Sequence, residues 1–132
     1  MNLVIDCSAA INILRGSGSL RFPRAALYAP ELIDVEYASA MRGLVHRREL
    51  STSRADEFIA TWSSARVLRC RHRPLLPRVW ELRANFSAND ASYVALAERL
   101  MSPLITADLR LAHAAAAYCD VIAVGDKGAE SL

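Results

Sequence analysis

Leu3-Val4-Ile5-Asp6-Cys7-Ser8-Ala9-Ala10 sets three apolar residues against an acid, followed by a hydroxyl able to cap a helix. So short an apolar run, without polar alternation, reads as a strand buried on both faces. Ser8 then reads as the cap of a helix from Ala9 to about Arg15, and Gly16-Ser17-Gly18-Ser19 as the break after it. The same grammar recurs downstream. Leu27-Tyr28-Ala29 is a short strand closed by Pro30. Glu31 to about Arg48 is a helix with Ile33, Tyr37, Ala40 and Leu44 as its stripe. Thr52 to Ser64 is a second helix, with Phe58, Ile59 and Trp62 as its apolar face. Val67-Leu68 is a further strand, and Pro74 to about Ala84 a helix with a proline in its first turn. Ser87 opens a helix over about Ala88–Leu100, Leu104-Ile105-Thr106 is a strand, and Asp108 starts an alanine-rich helix over 109–117. Val121–Val124 is the last strand, and 125–132 a tail. Short apolar strands alternating with helices predict an α/β fold, a parallel sheet covered on both faces.

The 132 residues suit a single domain, 1–132. With 53% hydrophobic residues and a formal net charge of +2, disorder is excluded. No stretch approaches the roughly 20 apolar residues of a membrane span. The start lacks the basic and apolar regions of a signal peptide, so a cytoplasmic protein is expected. Cys7, Cys70 and Cys119 are scattered, as are His46, His72 and His113, which argues against a disulfide framework or a zinc site.

Ligands of such sheets bind outside the carboxyl ends of the strands. Asp6 ends the first strand, and Asp108 lies two residues beyond Thr106. Asp90 opens the helix that feeds the Leu104 strand, and Glu36 lies on the inward side of its helix. Each acid has an ordinary alternative: Asp6 as a strand end, Glu36 as half of an ion pair, Asp90 in a capping box with Ser87, Asp108 as an N-cap. Their joint placement at one rim predicts convergence. Two carboxylates 4 Å apart repel by about 4 kcal/mol at an effective dielectric of 20, so a cluster of four must take up protons or a cation. An oxygen-only set favours Mg²⁺ or Mn²⁺ over zinc. Such an ion activates water and stabilises the leaving oxygen of a phosphodiester.

The basic residues are 15 Arg and Lys127. Ten of the Arg fall between Arg42 and Arg83, a stretch with four acids and hence a net charge of +6. Planar guanidinium forks suit phosphate oxygens, although on charge alone a merely solvated surface is the simpler reading. Arg66, Arg69, Arg71, Arg73 and Arg78 are the candidate nucleic-acid contacts.

These residues meet a known family. Leu3–Ser8, Pro30-Glu31-Leu32 with Val35-Glu36-Tyr37-Ala38, Asn89–Ala97, and Leu104–Leu111 together resemble a PIN-domain ribonuclease, specifically a VapC-type toxin of a toxin–antitoxin pair. The resemblance spans about residues 2–124. It implies a three-layer α/β/α sandwich with sheet order 3-2-1-4-5, in which Asp6, Glu36, Asp90 and Asp108 form the metal pocket. Ser8 and Thr106 are its supporting hydroxyls. It also implies Mg²⁺-dependent cleavage of structured RNA such as tRNA or rRNA, homodimerisation, and inhibition by a VapB-type antitoxin. Arg110 stands where some members carry a further acid or amide, which bears on a second metal, and Asp126 is too far along to assign.

Ile11, Leu14, Tyr37, Phe58 and Trp62 are either an antitoxin groove or plain core. A catalytically silent RNA-binding scaffold of the same fold is one rival reading. An aspartate-based phosphotransfer enzyme is the other. Against the latter, Ser8 stands where a second acid is needed, and Lys127 has no acid pair to serve.

Overall fold

The structure, a computed structural model, describes residues 1–125. Lys127, Asp126 and the tail beyond residue 125 therefore lie outside the described residues. Five strands, β1 (Asn2–Ile5), β2 (Ala26–Pro30), β3 (Val67–Cys70), β4 (Leu104–Thr106) and β5 (Val121–Ala123), form one sheet in the order β3-β2-β1-β4-β5. Every pairing is parallel, with Leu3 beside Leu27 and Ile5 beside Ile105. Among the described residues six helices cover it: α1 (Cys7–Ser17), α2 (Ile33–His46), α3 (Thr52–Ser63), α4 (Leu76–Glu81), α5 (Ala88–Leu100) and α6 (Leu109–Ala115). This is the expected three-layer α/β/α, PIN-like arrangement.

The apolar runs explain the core. Leu3, Val4, Ile5, Leu104 and Ile105 are fully buried, as a central parallel sheet requires. In α5 every residue from Ala91 to Ala97 is buried, because the helix lies between the sheet (β1, β2, β4) and α4. In α2 the buried stripe is Ile33, Tyr37, Met41 and Leu44; Ala40 is only half-buried. In α3, Ala55 joins Phe58 and Trp62 inward while Ile59 turns out. Leu14, Tyr37, Phe58 and Trp62 belong to the core, which makes those four side chains interior and not an open groove, while the partly buried Ile11 packs against it.

Several boundaries shift by a few residues from the sequence reading, α6 for instance ending at Ala115 and β5 at Ala123, and three of the shifts have clear local reasons. The cap of α1 is Asp6, whose carboxylate accepts from the Ala9 N–H, so the helix starts at Cys7 and Ser8 lies inside its first turn. The same helix runs through Gly16 and stops at Gly18. There φ is +76°, a left-handed conformation that glycine adopts without strain, and the Gly18 N–H bonds the Leu14 carbonyl. The helix expected over Pro74–Ala84 is a 3₁₀ turn (Arg73–Leu75) running into the short α4.

One cross-link matters for position. The exposed His72 accepts, through Nε2, the Leu32 N–H at the start of α2, at 2.9 Å. It ties the segment after β3 to the helix that carries Glu36.

Candidate active site

All strands being parallel, their carboxyl ends share one rim, and the four acids lie there. Asp6 follows β1, Glu36 is in the first turn of α2, Asp90 is in the first turn of α5, and Asp108 caps α6 after β4.

Asp6 is 5% exposed, and both of its oxygens are engaged. Oδ1 accepts from Ser8 Oγ and from the Ala9 N–H, each at 2.8 Å; Oδ2 accepts from Thr106 Oγ1 at 2.5 Å. Thr106, fully buried, also accepts the Asp108 N–H at 3.0 Å, and Ser8 Oγ accepts the Ala107 N–H at 3.0 Å. The two hydroxyls therefore stitch β1 to the β4–α6 turn through the carboxylate. Burial pushes the Asp6 carboxyl up to about 6, opposed by the three hydrogen bonds and reinforced by Asp108.

Asp90 is half-buried. Burial raises its pKa, with Asp108 and Glu36 adding to the rise and the Arg110 guanidinium opposing it. Asp108 Oδ1 accepts from the Arg110 and Leu111 N–H groups. Glu36 is held by α5: Oε1 accepts from the Tyr93 hydroxyl at 2.5 Å and Oε2 from Asn89 Nδ2 at 3.1 Å. Asp6 thus feels Asp108, and Asp108 and Glu36 both act on Asp90. Among the described residues no three His, Cys, Asp or Glu side chains stand as a ready ligand group. Each acid is engaged with its own local donors or neighbours along the rim.

Cys7 lies beside them, and burial, with Glu36 and Asp6, pushes its thiol up to about 12. At neutral pH it is neither a thiolate ligand nor a nucleophile. Asp6 is a poor candidate for an aspartyl nucleophile as well, since both oxygens are buried and accept hydrogen bonds.

The five candidate arginines separate into three groups. Arg69 donates to both Asp34 oxygens and to the Ala65 and Val67 carbonyls and lies over the Trp62 ring, while Trp62 Nε1 donates to Asp34. Arg78 forms a fork on Glu98 and reaches Glu81. Both are framework residues, because their forks are spent inside the chain. Arg66 is exposed but precedes β3, at the opposite end of the sheet from the acids. Arg71 and Arg73 are exposed, follow the carboxyl end of β3, and flank the His72 link to α2; among the described residues no acid pairs with them.

Sequence reading passed over the Glu36 clamp. The signal was present: a tyrosine in a fully buried alanine-rich run must find a partner for its hydroxyl, and Asn89 lies one turn before it.

No family model matches the chain. Among curated proteins it is 44% identical over 124 residues to VapC ribonuclease Mb0985 of Mycobacterium bovis, covering 92% of this chain and 98% of that one. The same figures hold for ribonuclease VapC9 of Mycobacterium tuberculosis. Ribonuclease VapC1 of that organism is 34% identical over 125 residues, covering 89% and 94%. Among solved structures, PAE2754 from Pyrobaculum aerophilum superposes with a TM-score of 0.68 at 20% identity over 86% of this chain and 87% of that one, a likeness of fold. With its order of strands, its acids at one rim and this identity over nearly the whole length of its relatives, the chain belongs to the VapC ribonuclease family.

Proposed function

We propose that this chain is a Mg²⁺-dependent endoribonuclease toxin that cuts structured RNA such as tRNA or rRNA and is held in check by a VapB-type antitoxin. The observation that carries the reading is the gathering of Asp6, Glu36, Asp90 and Asp108 from four separate elements at one rim. Burial and mutual repulsion raise the pKa of Asp6 and Asp90. A hard divalent cation relieves that repulsion, and the donor set fits one: carboxylate oxygens, no histidine, and a neighbouring thiol that stays protonated. Asp6 and Asp90 are the direct holders in this reading, with Glu36 and Asp108 completing the set. Mn²⁺ is the expected substitute.

When bound, the cation supplies charge that favours water ionisation and offsets negative charge developing at the phosphate. The protein's own part is positional. Ser8 and Thr106 fix Asp6, the helix capped by Asp108 fixes that carboxylate, and Arg71 and Arg73 hold the RNA backbone beside the acids. A homodimer belongs to the same reading and is decided by light scattering of the purified protein. Cytoplasmic location is part of the proposal; among the described residues no helix is long and apolar enough to cross a membrane.

The test is brief induction followed by mapping of new RNA ends, paired with the purified chain acting on the mapped RNA in Mg²⁺, Mn²⁺ or EDTA. Discrete cuts that vanish in EDTA are expected, as is relief of toxicity when the neighbouring open reading frame is co-expressed. Cleavage undiminished by EDTA would overturn the metal assignment, and absence of any cut would leave the silent scaffold as the better reading.

The arginines give a second expected result. Arg71→Ala with Arg73→Ala weakens RNA binding and reduces the salt slope by about 1.4–1.8, at roughly 0.7–0.9 per phosphate contact. Arg66→Ala leaves the slope unchanged. Arg69→Ala and Arg78→Ala lower the melting temperature instead. Binding measured from low to moderate salt, beside thermal melts, checks all of these; a slope lost with Arg66 alone reverses the assignment.

A further inference from the structure

We propose that Tyr93 and Asn89 are positioning residues for Glu36, so that α5, and not the helix Glu36 belongs to, decides where its carboxylate meets a cation or an attacking water. The inference rests on the acid-rim reading above and extends it to two residues that carry no charge.

The geometry is specific. Tyr93 donates to one Glu36 oxygen at 2.5 Å and Asn89 to the other at 3.1 Å. The two donors are one turn apart on α5 and bracket Asp90. The Tyr93 ring is only 2% exposed, and its helix is buried from Ala91 to Ala97, so the hydroxyl is held by the core. A carboxylate has about four lone-pair sites, and this clamp occupies one on each oxygen, leaving the others in fixed directions. A glutamate loses rotamer freedom when it is ordered. Here that ordering is completed on folding, before any ligand arrives, which is how a supporting shell strengthens a metal or water site. Because both donors and Asp90 share one helix, the Glu36–Asp90 spacing is set by helix geometry.

Four proteins make the test: Tyr93→Phe, Asn89→Ala, Glu36→Gln and the double Tyr93→Phe/Glu36→Gln. Mn²⁺ binding is read by titration calorimetry, and RNA cleavage is resolved into kcat and KM. Tyr93→Phe keeps the buried ring, and Asn89→Ala lies on the surface, so a folding defect in one leaves the other to decide. The expected result is a roughly 10–100-fold loss in Mn²⁺ affinity or kcat with KM unchanged, absent when Glu36 is already Gln. Wild-type Mn²⁺ binding and kcat in both single variants would overturn the proposal, provided Glu36→Gln is impaired; the acid-rim reading then survives. A Tyr93→Phe loss that persists at full size in the Glu36→Gln background also overturns it, since Tyr93 is then acting by another route. A Glu36→Gln protein indistinguishable from wild type removes Glu36 from the site and takes both readings with it.

Discussion

Asp6→Asn is expected to cut RNA cleavage by at least about 100-fold and, in the absence of metal, to make the folded protein more stable. The two effects have one cause. The Asp6 carboxyl sits at about 6 in the folded chain against an ordinary 3.8, so the folded state binds that proton more tightly than the unfolded state does. Below the ordinary value the carboxyl is protonated in both states and costs nothing. Between there and about pH 6 the folded state loses stability as pH rises, and above that the penalty is complete. A shift of this size corresponds to about 3 kcal/mol. Asparagine keeps an oxygen for Ala9 and Ser8 and offers its amide to Thr106 Oγ1, but carries no charge. The variant should therefore gain about 1–3 kcal/mol over wild type at pH 7.5, with the gain shrinking towards pH 4. Urea unfolding in EDTA at several pH values measures it. Equal stability of the two proteins at pH 7.5 would show that burying this carboxylate costs nothing. Added Mg²⁺ should stabilise wild type and leave Asp6→Asn unmoved.

Thr106→Val should do the reverse. The side chain is fully buried, so valine fills the same space. What is lost is the donor to Asp6 Oδ2 and the acceptor for the Asp108 N–H. A hydrogen bond to a charged group contributes about 1.5–3 kcal/mol, and leaving the half-buried Asp108 N–H without its acceptor adds to the loss, so destabilisation of about 2–4 kcal/mol is expected at pH 7.5. Removing the Thr106 donor raises the Asp6 carboxyl further, and that extra cost exists only where Asp6 is ionised. The destabilisation should be smaller at pH 4.5. Cleavage should fall by about 10–100-fold, as for other supports of a metal-holding carboxylate. Denaturant unfolding at the two pH values checks it. An equal loss at both would mean that Thr106 contributes by packing and not through Asp6.

Several features were legible because they are local. Leu3–Ile5 and Leu104–Thr106 are strands because they are short, apolar and closed by polar residues, and α5 begins at Ala88 because Ser87 caps it. The cap of α1 was not legible. Asp6 and Ser8 are both good capping residues, and the choice went to Asp6 because Ser8 is drawn to the β4–α6 turn, a partner about a hundred residues away. The helix expected over Pro74–Ala84 is tightened at its start into a 3₁₀ turn that contacts α5, and its regular part ends at Glu81, with residues 82–85 in a turn.

By itself the amino-acid order determined the alternation of strand and helix, and with it a parallel sheet whose acids fall at one rim, because hydrophobic period and capping chemistry act within a few residues. Only the tertiary structure decided which groups those acids meet. Glu36 is claimed by Tyr93 and Asn89, Asp6 by Ser8 and Thr106, and Arg69 and Arg78 by carboxylates of other elements. Hydrogen-bond partners and ion pairs depend on distance in space, and residues 53 or 100 positions apart become neighbours only once the sheet has formed.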